Sequence, residues 1–258
     1  MLPAGTITKR LVEGLRDKGN RVHIEEIVQG LCYVAVRLRQ GGLGLAALRA
    51  GTEAGEKNAA MLRDLQGRKA SEILDYLVSG VSLTERALGL AAANAVIHPG
   101  VPGREQDTIE LMSLVPGDRV AMVGLFSPLV DRIRRTGAEL NVVERDENKP
   151  GISDPGETRR VLKECSVAII TATTLLNGTI EDVLNALGRP RHVALIGPST
   201  PACPEAFQSC GIHHLGGASI VNEREVLRVV AEGGGTPAMR PYLRFWNIRI
   251  GKGFFPPG

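Results

Sequence analysis

VAMVGLF at residues 120–126, SVAIIT at 166–171 and HVALIG at 192–197 are short, unbroken apolar runs rich in Val, Ile and Ala. A strand of that kind must be covered on both faces, as in a parallel sheet flanked by helices. ELNVVER at 139–145 reads as a further strand, and Ile212–Leu215 as a fifth. Between the strands lie helical segments at Leu129–Arg135, a stretch ending at Val161–Glu164, Thr179–Leu187 and the shorter Cys203–Ser209. Strands and helices alternating at this pitch specify βαβ units with right-handed crossovers. From about Arg119 onward the expected fold is α/β, a Rossmann-like, doubly wound parallel sheet.

The upstream half reads differently. Ile7–Arg16 carries Ile7, Leu11, Val12 and Leu15 on one helical face. Leu31–Leu38 follows as a strand, Gln40-Gly41-Gly42 as a turn and Leu43–Leu48 as its hairpin partner. Ala50–Asn58, rich in Gly and Glu, reads as a loop, and Ala70–Val78 as a helix. Ser82-x-x-Glu85 is a capping box that opens the next helix, LTERALGLAAANAVI, which stops at His98-Pro99-Gly100. This half is a smaller α+β unit. HPGVPG at 98–103, with two Pro and two Gly, is the expected linker, dividing residues 1–100 from 104–258.

Composition narrows the function. At 258 residues the chain exceeds the usual size of one domain. Aromatic residues are only 3% of it, so Leu, Val, Ile and Ala must fill the cores. The net charge of +3 is scattered, with no basic stripe interleaved with aromatics, which argues against nucleic acid as a partner. Ala87–Ile97, the longest nearly apolar stretch, is too short to cross a bilayer, and the charged N-terminus is no signal peptide. Of the four cysteines, Cys32 and Cys165 fall in apolar runs that read as core strands. No CxxC pair occurs, so reduced thiols and a cytoplasmic location are expected.

Ligands of open α/β sheets bind beyond the carboxyl ends of the strands. Here those ends are Gly124-Leu125-Phe126-Ser127-Pro128, Glu144, Thr171-Ala172-Thr173-Thr174 continuing to Asn177-Gly178-Thr179, and Gly197-Pro198-Ser199-Thr200-Pro201. Each is rich in small or hydroxylated residues, which lets a ligand approach backbone amides. The first is no dinucleotide fingerprint, since only Gly124 of the three glycines is present and Pro128 starts the helix. Glu144 lies where an acidic residue would hold a ribose diol, and reads equally as a solvated strand-end carboxylate. Thr179 is a candidate N-cap, with Glu181 and Asp182 suited to the same helix start. Thr200 and Pro201 look like a second cap and first turn that leave amides free for an anion. Cys203, Cys210, His213 and His214 share a window with soft or borderline ligand chemistry but lack structural-zinc spacing. His23, His98 and His192 read as isolated.

VAMVGLFSPLV, VVERD, AIITATTLLNGT and ALIGPSTP, in that order, resemble the putative heavy-metal chelation domain family, a domain of unknown function. GGLGLA and SLTERALGLAAANAVI resemble the enolase-N-terminal-like domain that accompanies it. The resemblance spans about Ile7 to Gly217. It implies two domains with a site in the cleft between them, where Asn94 would face Gly124, Phe126, Glu144, Thr173, Asn177 and Pro198. The ligand-binding set expected on both grounds is Asn94, Gly124, Phe126, Ser127, Glu144, Thr171, Thr173, Thr174, Asn177, Thr179, Gly197, Pro198, Ser199 and Thr200. The expected ligand is a small molecule, a divalent metal or a metal chelate, with a nucleotide-type cofactor enzyme as the alternative. The tail WNIRIGKGFFPPG has no assigned role; its Phe254 and Phe255 could dock on the chain itself or on a partner subunit of a homo-oligomer.

Overall fold

A computed structural model describes residues 1–39, 41–48, 56–97, 105–144 and 150–250. Gln40, residues 50–55, the expected linker at 98–103, Arg145 and the tail beyond Ile250 lie outside the described residues.

The first half runs α1 (Thr6–Gly19), β1 (Ile24–Gln29), β2 (Tyr33–Leu38), β3 (Leu43–Ala47), α2 (Glu56–Leu65), α3 (Ala70–Leu74), α4 (Tyr76–Ser79) and α5 (Leu83–Ile97). The three strands form an antiparallel sheet in the order β1-β2-β3. Alternation along β2 sends Val34, Val36 and Leu38 into one core and Tyr33 and Ala35 into another. Four local expectations change. IEEIVQ at 24–29 is a strand that the sequence reading left out, its Glu25 and Glu26 paired with Arg37. Glu56–Asn58 is helical rather than loop. The strand expected from Leu31 starts at Tyr33, leaving Leu31 69% exposed and Cys32 in the preceding bend. Ala70–Val78 is broken at Asp75 into two short helices.

The capping box forms as expected. Ser82 Oγ accepts the Glu85 amide at 3.1 Å, and Glu85 Oε2 accepts the amides of Ser82 and Val81. The helix it opens, α5, is apolar all round from Ala87 to Ala93, with Ala87, Leu88, Leu90, Ala91, Ala92, Ala93 and Ala95 fully buried. Such a helix belongs in the middle of a structure. Its small residues set how near its neighbours come. A Cβ on Gly44 of β3 would lie 2.0 Å from the Ala91 carbonyl oxygen, and one on Gly89 2.3 Å from the Leu77 amide.

The second half runs α6 (Thr108–Met112), β4 (Arg119–Val123), α7 (Ser127–Arg134), β5 (Glu139–Val143), α8 (Pro155–Glu164), β6 (Val167–Thr171), α9 (Thr173–Leu176), α10 (Ile180–Ala186), β7 (His192–Ile196), β8 (His214–Ile220), α11 (Glu223–Ala231), α12 (Thr236–Met239) and β9 (Leu243–Arg249). Its sheet has the order β5-β4-β6-β7-β8-β9, parallel except for β9. The fold class is thus as expected: α/β with a mostly parallel six-stranded sheet, plus a separate small antiparallel sheet. Part of the unassigned tail, Trp246 to Arg249, belongs to the antiparallel edge strand β9. Cys165 is the residue after α8 and not part of a strand.

The halves share their cores. One cluster runs from Leu11 and Leu88 through Leu175 and Phe207 to Trp246. A second packs Tyr33, Ala35, Leu43 and Leu45 against Val226, Val229 and Met239. The small sheet therefore lies between α5 and α11.

Candidate functional site

The tips of the parallel strands stand side by side. Gly124 N–H donates to Val143 O at 2.9 Å, Ala172 N–H to Ile196 O at 3.0 Å and Gly197 N–H to Gly216 O at 2.9 Å. Gly124, Glu144, Thr171 and Gly197 thus occupy one edge of the sheet. The chain leaves β4 toward β5 and returns on the other side as β6, so the crossovers diverge between β4 and β6. That divergence opens a crevice at the strand ends. Gly124 is its wall: with φ +82° it takes a left-handed turn, and a Cβ there would lie 2.8 Å from Thr171 Cγ2. Gly197, at φ +128°, lies beneath the Phe126 ring.

Asn94 of α5 reaches this edge. Its Nδ2 donates to Leu45 O at 2.8 Å and to Ser199 O at 3.1 Å. The Ser199 hydroxyl accepts the Ala47 amide at 2.8 Å. Ser199, from the second half, is therefore stitched to β3 and α5 of the first, and its polar groups are used in the joint.

The remaining expected residues sort by what their side chains already hold. Thr171 and Thr173 share a hydroxyl contact of 3.1 Å and are half-buried. Thr174, buried, donates to Thr171 O at 2.7 Å and serves the turn into α9. Thr179 is not a side-chain cap: its backbone is not extended as an N-cap requires, and its hydroxyl donates to Asn177 Oδ1 at 2.6 Å. Glu181, at the same helix start, turns its Oε1 to the Ile7 amide at the start of α1, 3.0 Å away. Asn177 is exposed beside the N-terminal end of α5, where Arg86 reaches Leu176 O and Gly178. Arg86 and Asn94 are eight residues apart, about 12 Å along the helix. Asn177 and Thr179 accordingly stand apart from the Asn94 end.

Thr200 begins no helix. Its amide donates to Gly197 O at 3.0 Å, closing a Gly197–Thr200 turn with Pro198 at the second position, where the fixed φ of proline favours turning. The short helix expected at Cys203–Ser209 is a 3-10 turn over Pro204–Phe207. Pro128 does lie in the first turn of α7, and Ser127 beside it is exposed.

A small cavity of about 20 Å³ lies where the halves meet. Gly44, Leu45, Asn94 and Ile97 line it from the first half, and Pro198, Thr200, Ala218 and Trp246 from the second. Trp246 was absent from the sequence-derived set. Its indole lies flat against β8 because residue 217 is glycine: a Cβ there would fall 2.2 Å from the ring. The pair Gly216-Gly217 within strand β8 was the available signal.

Among the described residues no group of three or more His, Cys, Asp or Glu could hold a metal ion. The thiols of Cys203 and Cys210 are pushed up by burial, away from the thiolate a metal needs. His192, expected to be isolated, is not: its Nε2 meets His214 Nδ1 at 2.6 Å, while His213 Nδ1 accepts the Val193 amide at 2.9 Å. These rings lie at the amino end of the sheet, opposite the crevice. Burial pushes His214 down to about 3 and His192 down to about 4. All four cysteines are free, and no described helix is long and apolar enough to cross a membrane.

Fold and joint together describe an α/β protein whose parallel-strand tips are closed by a second, smaller sheet and its central helix. The chain belongs to the family described as "Putative heavy-metal chelation", whose two models match residues 107–249 and 12–97. It is 27% identical over 231 residues to "Uncharacterized protein MJ0500" of Methanocaldococcus jannaschii, covering 86% of this chain and 88% of that one. Two crystal structures of proteins of unknown function share the fold. One, from Desulfitobacterium hafniense, has a TM-score of 0.81 at 22% identity and covers 95% of this chain and 98% of its own. The other, from Pyrococcus horikoshii, has a TM-score of 0.78 at 20% identity and covers 95% and 100%.

Proposed function

We propose that this chain is a cytoplasmic small-ligand protein that binds a metal chelate, through the chelator, in the cleft between its halves. The observation that carries this reading is the joint itself: Asn94 and Ser199 tie the central helix of one half to the strand tips of the other. The half-buried tips there are Gly124, Phe126, Glu144, Thr171, Thr173, Gly197 and Pro198. Their chemistry is hydroxyl, backbone amide, one aromatic face and one carboxylate. Such a set suits a polar organic molecule and does not fit a bare ion, for which no cage exists among the described residues. The metal is cargo in this reading, and the residues hold its organic shell. Residues 1–100 are read as an enolase-N-terminal-like domain and 104–258 as a Rossmann-like one.

Calorimetry with divalent ions alone, and with the same ions as preformed hydroxycarboxylate chelates, tests the proposal. Heat of binding is expected from a chelate and reduced by Glu144→Ala. Binding of no chelate tighter than millimolar, or an unchanged affinity in Glu144→Ala, overturns it.

A second reading has its own support, the crevice between β4 and β6. Nucleotides bind at such a switch point in open α/β sheets. A thermal-shift screen with dinucleotides, nucleotides and S-adenosylmethionine separates the two, because a ligand that binds only the folded state raises the unfolding temperature.

A further inference from the structure

The cavity between the halves contains polar groups without partners. Thr200 Oγ1 and Trp246 Nε1 are both buried, in residues only 3% and 4% exposed, and neither has a hydrogen-bond partner among the described residues. Both line the same cavity. An unpaired buried donor costs roughly 1–3 kcal/mol, so two in one place call for an occupant. The floor is closed by Gly44, Thr200 and Trp246, while Asn94, Ile97 and Pro198 are half-exposed and form its mouth. The cavity is thus closed on one side and reachable on the other, about 20 Å³ in volume, enough for one oxygen-sized group.

The donor set states what that group must be. The indole N–H can only donate, and the threonine hydroxyl can donate or accept. Both protons of Asn94 Nδ2 are spent on Leu45 O and Ser199 O, which leaves Oδ1 as the acceptor on this side chain. An ammonium is excluded at the indole because it has no lone pair to offer. A carboxylate or hydroxyl oxygen satisfies the indole and the threonine at once.

We infer that Trp246 and Thr200 form a buried oxygen-recognition point, taking a carboxylate or hydroxyl oxygen of a small hydroxy acid that enters past Asn94. This inference rests on reading the cleft as a ligand site and adds the chemical class of the ligand. It also gives a role to the one tryptophan of the chain. Gly217 seats the ring, and the edge strand β9 carries it to the cavity.

Because Trp246 is the sole tryptophan, its emission reads the cavity directly. The full chain in metal-stripped buffer is titrated with glycolate and then with citrate. A saturable shift of the emission at millimolar concentration or below is expected for at least one of them. Thr200→Val, which keeps the shape and deletes the hydroxyl, is expected to weaken half-saturation about tenfold or more, the effect of losing one hydrogen bond to a charged group. Thr200→Ser is expected to keep the response. Should Thr200→Val fail to fold, Ala218→Leu, which fills the cavity from its half-exposed side, is expected to abolish the shift. No saturable change with either acid means the cavity holds a single water and overturns the inference. So does an equal response in wild type and in the folded Thr200→Val or Ala218→Leu variant. With no metal present, this readout is separate from chelate binding. A chain that binds glycolate but no chelate loses the first proposal and keeps this one.

Discussion

The side-chain amide of Asn94 donates to the carbonyl oxygen of Ser199 across 3.1 Å, and to that of Leu45 across 2.8 Å. One residue of the central helix thus satisfies an acceptor in each half. Neither carbonyl loses its need for a donor when the side chain is shortened. Asn94→Ala is expected to destabilise the fold by about 2 kcal/mol, from two partly buried acceptors left unpaired. Asn94→Asp should be worse at neutral pH, since it sets a carboxylate oxygen against a carbonyl. Urea unfolding of the three proteins checks the order.

The glycines differ sharply in what surrounds them. Gly44 meets the backbone of α5, with Ala91 O at 2.0 Å and Ala95 N at 2.2 Å from a built Cβ. Backbone cannot swing aside, so Gly44→Ala must part β3 from α5 and is expected to cost about 3 kcal/mol or more. Gly14 sits on the exposed face of α1 with nothing within 4 Å. There the only effect is helix propensity, and Gly14→Ala is expected to stabilise by about 0.5–1 kcal/mol. Thermal unfolding of the pair, opposite in sign, tests the packing of the central helix.

What could be read from sequence follows the physics of covering. Runs such as VAMVGLF and HVALIG are buried on both faces, so their strands were legible without any partner in view. IEEIVQ and LRFWNIR are edge strands, where Glu26, Arg244 and Arg249 break the apolar pattern. TTLLN falls in a strand-end segment with no helical periodicity of its own, yet packing under α5 winds Thr173–Leu176 into a short helix. The strand tips were legible for the same reason as the strands. Trp246 was not, because its place depends on an antiparallel pairing with β8 that no local pattern announces.

Glu181 is 1% exposed, and its Oε1 accepts the Ile7 amide at 3.0 Å. No side chain caps α1 from its own N-cap, Gly5, so this carboxylate from the other half does so. Glu181→Ala should leave a buried amide unpaired and cost about 1–3 kcal/mol. Glu181→Gln keeps an acceptor in the same position and should cost clearly less. Urea midpoints of the two variants, compared with wild type, decide the matter.

Acid should act on this protein in two stages. His214 and His192 are neutral in the fold, pushed down to about 3 and about 4, chiefly by burial, and then by His192 and His213 around the first and by His213 and Arg191 around the second. Above the ordinary histidine value of 6.5 neither form of the chain is protonated there, and the stability is complete. Below it the unfolded chain takes up protons that the folded one refuses, so stability falls with falling pH. For His214 the slope is at most about 1.4 kcal/mol per pH unit. Asp118 acts in the same sense, at lower pH. Burial works to raise it, but the Arg191 guanidinium, the Val115 amide and the Ser166 hydroxyl outweigh burial and hold it below the usual carboxylate range. Its contribution is therefore intact above the normal aspartate value and is lost only as pH drops through the folded one. The unfolding temperature is expected to decline from pH 6.5 toward 4 and to drop again below that. His214→Gln should flatten the first decline and leave the second. A profile that stays level between pH 6.5 and 4.5 in wild type would mean that the histidine cluster is already solvated and charged.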